Sequence, residues 1–572
     1  MNARRLLNAA LAAALLLAAS STAARAAEKG TAQPAADSDL VLRALEDEVA
    51  RAKTLSMDTL DKPYWVGGFA QDTEGFEVSA AFGALLSRDG GKRSMLETQV
   101  RVGDMDLDNT NFADDFWGGG FRGGGQGIPS EPDYDALRHS LWLQFDDRYK
   151  KAAENIAKKR AFLQTTEVKD RQPDFTPAEV VSLLLPREAL KVDRERWTRL
   201  VKLASAVFRN HPATHTCRVS LRASTSHQYF VSTEGARHRF PEQIVQLSIQ
   251  AGTQAPDGME LQANWEKWGR TEKDLPTDAE IVKAAEQVAK RLEELAAAPV
   301  PTEDYAGPVL FTGEAAALFY LSTLGEPLGH PRDELGAARQ GRLVDRVGKH
   351  VAAKILSVRD DPNQTSFKGV PLLGHFPVDD DSVKPMPLSL VEDGVLKGYY
   401  MSRVPTKLIK QTNGHSRNGA GAAGVLFVET KAAQPVAALT KRLLELAKEE
   451  DYDYGIVVED FDTSMGMRWG RMNEVMLPMP SAIYRVYADG RREAVRGYTF
   501  KPTSFRVLKD IEGLGDDPTV ANVDLRNQRT SAVAPSTLIK MLELQKTNAD
   551  FEKPPYTPRP LAAAPAPAAK KK

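Results

Sequence analysis

Apolar side chains recur with a helical period in some windows of the chain and alternate with polar ones in others. Met95–Val102 (MLETQVRV) alternates as a half-buried strand should, and Tyr64–Gly68, Val78–Leu86, Cys217–Ala223, Gln228–Ser232 and Gln243–Ala251 read as further strands. Tyr134–Leu163, rich in Ala, Lys and Leu, predicts a long helix, and Trp117–Gly127 a glycine-rich loop. The sharpest helix signal is Asp278–Ala297. Thr277 and Glu280 have capping-box spacing, and Ile281, Ala285, Val288, Leu292 and Leu295 fall on one face. Ala298-Pro299-Val300-Pro301 ends that helix and marks a domain boundary.

Beyond it strand signals dominate. Leu388–Leu390 precedes the turn Glu392-Asp393-Gly394, and Ile483–Tyr487 precedes Ala488-Asp489-Gly490. Gly424–Val428, Gly455–Val458 and Glu493–Tyr498 read as strands, and Val436–Lys448 as a helix with Leu439, Leu443, Leu446 and Ala447 on its buried side. The expected class is α+β: a mixed N-terminal α/β domain over residues 37–300 and a β-rich C-terminal domain over 301–545.

The ends depart from this pattern. Arg4 and Arg5, an apolar run from Leu6 to Ala19 and the A-x-A site Ala24-Arg25-Ala26 form a secretory signal peptide over residues 1–26, which predicts export to the periplasm or the medium. No second long apolar run follows, so no membrane span is expected after cleavage. The stretch 553–572, rich in Pro, Ala and Lys, reads as a disordered tail. At 572 residues the chain is too long for a single core. Its 75 basic and 77 acidic residues become 72 and 77 once Arg4, Arg5 and Arg25 are removed, a net −5 that offers no footprint for nucleic acid. The lone Cys217 excludes an intrachain disulfide.

Short motifs add little. Gly118-x-Gly120-x-x-Gly123 matches a dinucleotide fingerprint in letters, but it sits in WGGGFRGGGQG after an acidic loop and not between a strand and the N-terminus of a helix. Asp104-x-Asp106-x-Asp108 with Asp115 imitates a calcium loop, yet its sixth position is Asn109 rather than Gly, and it reads as an acidic turn. His211-x-x-x-His215-x-Cys217 would converge only on a helix. Pro212, Thr214 and Thr216 point to a loop running into a strand.

Longer strings carry more. RVGDMDLDNTNF (Arg101–Phe112), DYDALRHSLWLQFDDRYKKA (Asp133–Ala152), YFVSTEG (Tyr229–Gly235), GPVLFTGEAAA (Gly307–Ala317), LVEDGVLKGYYMSR (Leu390–Arg403), TNGHSRNGAG (Thr412–Gly421), YRVYADGRREAVRG (Tyr484–Gly497) and VAPSTLIKMLEL (Val533–Leu544) occur in that order over more than 400 residues. Together they resemble the TldD/PmbA family of metallopeptidases, also called modulators of DNA gyrase, and most closely its exported branch. The resemblance implies a two-domain α+β fold and dimers around a chamber that holds unfolded peptide. It also implies, in the peptidase branch, zinc held by an H-E-x-x-x-H helix and a distant cysteine. Here the corresponding window reads Leu321-Ser322-Thr323-Leu324-Gly325-Glu326, with Leu321 and Glu326 where the histidines fall and Ser322 where the glutamate falls. The cysteine is missing too, because Cys217 lies in the other domain.

The resemblance therefore implies a metal-free member, with no zinc or other cofactor and no catalytic residue. It would bind peptide or unfolded polypeptide, as a homodimer or beside a zinc-bearing relative, since the family has a branch without the zinc motif that pairs with the peptidase subunit. Asn413, Gly414, His415 and Arg417 are the candidate peptide contacts: Gly414 permits close backbone approach, and Arg417 or His415 can meet a peptide carboxylate or carbonyl. Two other readings stand open. One is an active peptidase with a metal site rebuilt from Glu326, His330, His375, His415 or Asp379-Asp380-Asp381, and the other is a structural protein of the envelope.

Overall fold

The computed structural model describes residues 39–57, 60–112, 126–128, 133–329, 332, 334–335, 343–462, 474–525, 528–548 and 551–552. The signal segment 1–26, Asp115, residues 117–125 of the glycine-rich stretch, His330 and the tail 553–572 lie outside the described residues.

The first domain is one mixed sheet with helices on one side. Its strands are β1 (Pro63–Ala81), β2 (Ala84–Val102), β3 (Gln126–Ile128), β4 (Ser182–Leu184), β5 (Thr216–Ser232), β6 (Arg237–Gln254) and β7 (Glu260–Gly269), in spatial order β3-β2-β1-β5-β6-β4 with β7 also on β6. The segments Tyr64–Gly68 and Cys217–Ala223 belong to strands much longer than the sequence pattern indicates. The pattern is also wrong about Val78–Leu86, which is a hairpin and not a strand. Phe82 and Gly83, at φ 47° and 78°, turn the chain so that Ala81 pairs with Ala84. Apolar residues on both sides of a two-residue turn hide it from a periodicity reading.

Alternation along β1 divides the sheet into two faces. Val66 and Ala70 pack under helices α1 (Leu40–Ala52) and α2 (Tyr134–Thr165), while Phe76, Val78 and Ala80 pack under α3 (Arg194–Ala206) and α4 (Asp278–Ala297). Trp65, Phe69, Gln71 and Thr73 occupy the opposite face. Helix α4 has the expected box, with Thr277 and Glu280 capping each other's backbone N–H, and its five periodic apolar residues are all buried.

The second domain packs two sheets face to face around a single core. From Tyr305–Phe311, the strand β8, one sheet extends through 537–546, 511–515 and 433–434 on one side and through 454–462, 479–487 and 492–494 on the other. The second sheet orders 395–396, 388–392, 357–360, 425–429, 528–534 and 519–525. Glu493–Tyr498 is two short strands, Arg492–Ala494 and Tyr498–Phe500, because Gly497 at φ 86° turns the chain between them. Helix α5 (Gly313–Tyr320) contacts strands of both sheets and continues into a π-helical turn, Leu321–Gly325. Helix α6 (Val436–Glu449) covers the outside with Leu439, Leu443 and Leu446 against Leu310, Val457 and Leu538. No helix among the described residues is long and apolar enough to cross a membrane.

The cluster of soft ligands in the first domain is dispersed, as the loop-to-strand reading requires. His211 bridges Glu286 and Glu293 on α4 at 2.9 Å each, His215 is exposed and Cys217 is buried on β5. Burial alone lowers the His211 pKa, but the hydrogen bonds to Glu293 and Glu286 outweigh it and raise the value above its ordinary 6.5. A raised folded-state pKa gives stability that is fully present below about pH 6.5 and lost as pH rises through the folded value. Urea unfolding of His211→Gln beside the wild type is therefore expected to show a larger deficit at pH 6 than at pH 9.

Candidate functional site

The functional region forms where the bare face of the first sheet meets loops of the second domain. The two domains are locked by Arg403, whose side chain is only 1% exposed. Its two terminal nitrogens donate to Glu234 at 2.5 and 2.8 Å, and its Nε donates to the Thr176 carbonyl at 2.9 Å. Thr176 N–H returns a bond to the Arg403 carbonyl at 3.0 Å. Glu234 sits in the turn between β5 and β6 and also accepts from Trp65 Nε1. Burial raises its carboxyl pKa, and the bonds from Arg403 more than reverse this, so the net shift is downward. The Phe175 ring receives both the Arg403 and the Arg101 guanidinium, at 3.9 and 3.8 Å from its centroid.

The acidic turn near residue 104 is part of this joint. Asp104 Oδ1 accepts from the backbone N–H groups of Asp106 and Leu107, Asp106 pairs with Arg171, and Asp108 accepts from Arg101, Tyr64 and Thr110. Each carboxylate has its own partner, so the three are not arranged around an ion. Lys159, buried, reaches the carbonyls of Asp108 and Thr110 and the carboxylate of Asp174, which Arg332 of the second domain also contacts. The conspicuous string RVGDMDLDNTNF thus folds into the domain joint.

The 412–421 segment is a small hairpin. Ser416-Arg417 pairs with Ala420-Gly421 across Asn418 and Gly419, both at positive φ. Asn-Gly between short strands is a strong hairpin signal that the sequence reading above did not use. Asn413 and His415 face inward. The Asn413 side chain bonds Met401 N–H and the Tyr399 carbonyl. His415, with no exposed surface, holds the Asn413 carbonyl through Nδ1, and its Nε2 lies 3.5 Å from Asp360. Gly414 does permit a close approach, but to this chain's own backbone: a Cβ there would lie 2.3 Å from the Lys384 carbonyl. Arg417 alone of the four lines a cavity.

That cavity has a volume of about 250 Å³. Its floor is the bare face of the first sheet, where Phe69 pairs with Glu97, Thr73 with Arg93, and Gln71 with both Met95 and Gln228. Asp380, Arg417, Asn418 and Arg529 close it from the second domain. The aspartate run anchors the hairpin above it. Asp379 accepts from the N–H groups of Asp381, Val383 and Ser416, and Asp380 accepts from Asn418. Burial and then mutual repulsion raise the Asp379 pKa, while burial also raises that of Asp381 against the pull of Arg403. Glu97, Gln228 and Arg529 were beyond a sequence reading, because only strand pairing and domain docking bring them together.

The window 321–326 lies elsewhere, in the core between the two sheets of the second domain. Leu321 is buried among apolar side chains. Ser322 and Thr323 donate back to the carbonyls of Leu318 and Phe319, and Glu326 N–H closes the π turn onto the Leu321 carbonyl. Leu321 offers no donor and the Ser322 hydroxyl is already committed, so these residues do not fit a zinc ion. His375 holds the Pro362 carbonyl at 2.7 Å, and among the described residues no group of three His, Cys, Asp or Glu side chains could hold a metal.

Residues 303–546 match the family model of the PmbA/TldA metallopeptidase C-terminal domain. The fold is similar to three solved structures. A candidate modulator of a DNA gyrase from Thermotoga maritima aligns at 17% identity and a TM-score of 0.58, covering 88% of this chain and 99% of that one. TldE from Thermococcus kodakarensis aligns at 12% and 0.56, with coverage of 88% and 99%, and a candidate modulator of DNA gyrase from Bacteroides thetaiotaomicron at 11% and 0.55, with 89% and 98%. At these identities the likeness is one of fold. No curated protein matches the sequence.

Because Glu234 is about a quarter exposed, Arg403→Ala is expected to lie at the low end of the cost of breaking a buried ion pair, about 3 kcal/mol. Arg403→Lys keeps the charge but loses the fork and should fall between it and the wild type. Urea denaturation followed by tryptophan fluorescence and by far-UV circular dichroism measures both.

Proposed function

We propose that this chain is an exported member of the TldD/PmbA family that has given up zinc catalysis and works as a peptide-binding or partner subunit. The observation that carries this reading is the 321–326 window. Leu321 and Ser322 stand at two positions where the family resemblance calls for metal chemistry, and both are buried in the core. Three protein ligands and an open position are what a catalytic zinc requires. Glu326 alone falls short of that.

The seam cavity supports peptide binding. Phe69 and Met95 supply apolar floor, the amides of Gln71, Gln228 and Asn418 can meet peptide main-chain groups, and Arg417 can meet a carbonyl or carboxylate. The signal-peptide pattern of residues 1–26 supports export, and an exported protein does not meet gyrase. Assembly as a homodimer, or with a zinc-bearing relative, would give such a subunit its role in proteolysis.

The test combines metal analysis with peptide binding on the purified full-length protein. Reduced, unfolded casein peptides are expected to bind, with zinc well below one equivalent and no hydrolysis sensitive to a chelator. Stoichiometric zinc, lost together with peptidase activity on chelation, would falsify the reading.

A further inference from the structure

The seam cavity has a chemistry that peptide binding alone leaves unspecified. Arg529 commits one terminal nitrogen to Glu242. Arg417 lies 4.7 Å over the Phe376 ring, with Nε 3.6 Å from Asp380, beyond hydrogen-bond reach. Nearby, Arg270 donates to the carbonyls of Leu372 and His375. The Nε–H groups of all three arginines are buried and have no acceptor. Buried donors are normally satisfied, so these guanidinium groups are under-committed, and those of Arg417 and Arg529 line the cavity where an acceptor can meet them.

Charge points the same way. Burial raises the Glu242 pKa, but Arg529, Arg417 and Arg270 outweigh it and draw the value down. Arg417 also faces Asp380 at 3.6 Å, and Asp380 and Glu97 line the same cavity, so the wall carries both signs and the guanidinium groups are concentrated at its Arg417 and Arg529 end. A guanidinium presents parallel N–H groups that match the two oxygens of a carboxylate. At about 250 Å³ the space suits a side chain or a chain end and not a folded partner.

Resting on the peptide-binding reading above, we infer that this end of the cavity is a carboxylate-binding subsite, in which Arg417 and Arg529 take the carboxylate of a bound peptide, either its C-terminus or an Asp or Glu side chain. The sheet floor then holds the preceding residue, with Phe69 and Met95 against its apolar part.

The test is titration calorimetry of the full-length protein with one unstructured, unlabelled peptide made in three forms: free C-terminal acid, C-terminal amide, and amide with a glutamate near its end. The acid or the glutamate-bearing amide is expected to bind about 10–100-fold tighter than the plain amide, the range for a charge-assisted contact. Whichever of the two does so identifies the source of the carboxylate. Arg417→Gln and Arg529→Gln are each expected to bring that ratio toward one. Should Arg529→Gln unfold through loss of its pair with Glu242, the wild-type ratio and Arg417→Gln still decide. Equal binding of all three forms, or a carboxylate preference that survives Arg417→Gln, overturns the subsite while leaving peptide binding standing. No binding of any form removes the peptide-binding reading itself and the subsite with it.

Discussion

A guanidinium removed from water must be met on every side, and Arg403 is met only when three separate parts of the chain are in place. Glu234 comes from a hairpin turn of the first sheet, the Thr176 carbonyl from the extended strap between α2 and α3, and Arg403 itself from the loop that follows Tyr399. A displacement of any one of them strands a buried charge, which costs several kcal/mol. The domain orientation is therefore determined by a polar group in the way that a core determines helix packing. The same orientation sets the 412–421 hairpin opposite the bare sheet face, and the cavity exists because of it.

The rest of the seam is ion-paired mainly in one sense. The second domain supplies Arg332 to Asp174, Arg496 to Asp257 and Arg529 to Glu242, with Arg291 to Asp460 and Lys267 to Glu314 in the reverse sense. Such pairs add little net stability where they are exposed, but they penalise wrong docking by opposing like charges. They also gather like groups: Arg270, Arg417 and Arg529 surround Glu242, with Asp380 beside Arg417, and that concentration of guanidinium groups arises from the docking itself.

Much of the fold was legible because helices advertise their ends. Thr277 and Glu280 located α4 to the residue, and the spacing of Leu439, Leu443 and Leu446 located α6. Strands were harder. The long hairpin of β1 and β2 carries apolar residues straight through its turn at Phe82 and Gly83, so periodicity merged its two arms. The strands β1 and β5, at 19 and 17 residues, showed only as fragments, because Asp72-Thr73-Glu74-Gly75 and Ser224-Thr225-Ser226 interrupt the apolar positions along them. Of the site, Arg417 was visible as a cation in a turn-rich string. Besides Asn418 and Asp380, its partners in the cavity come from positions 69–97, 228 and 529, and no local pattern links residues so far apart. Nor does spacing distinguish His415, which looks like a ligand in sequence, from a core histidine held by Asn413.

The contrast between the two candidate sites is physical. A fully buried leucine contributes about 1.5–3 kcal/mol through removal of its surface from water. An imidazole at position 321 would surrender that and bury a polar ring among apolar neighbours unless a metal and its other ligands were present together. A zinc site placed in such a core would therefore have to be introduced as a set, because a single histidine at an apolar position is unfavourable. The seam is under no such constraint, because its arginines are held by docking that the fold needs in any case. Of the two places, a ligand has access to the seam.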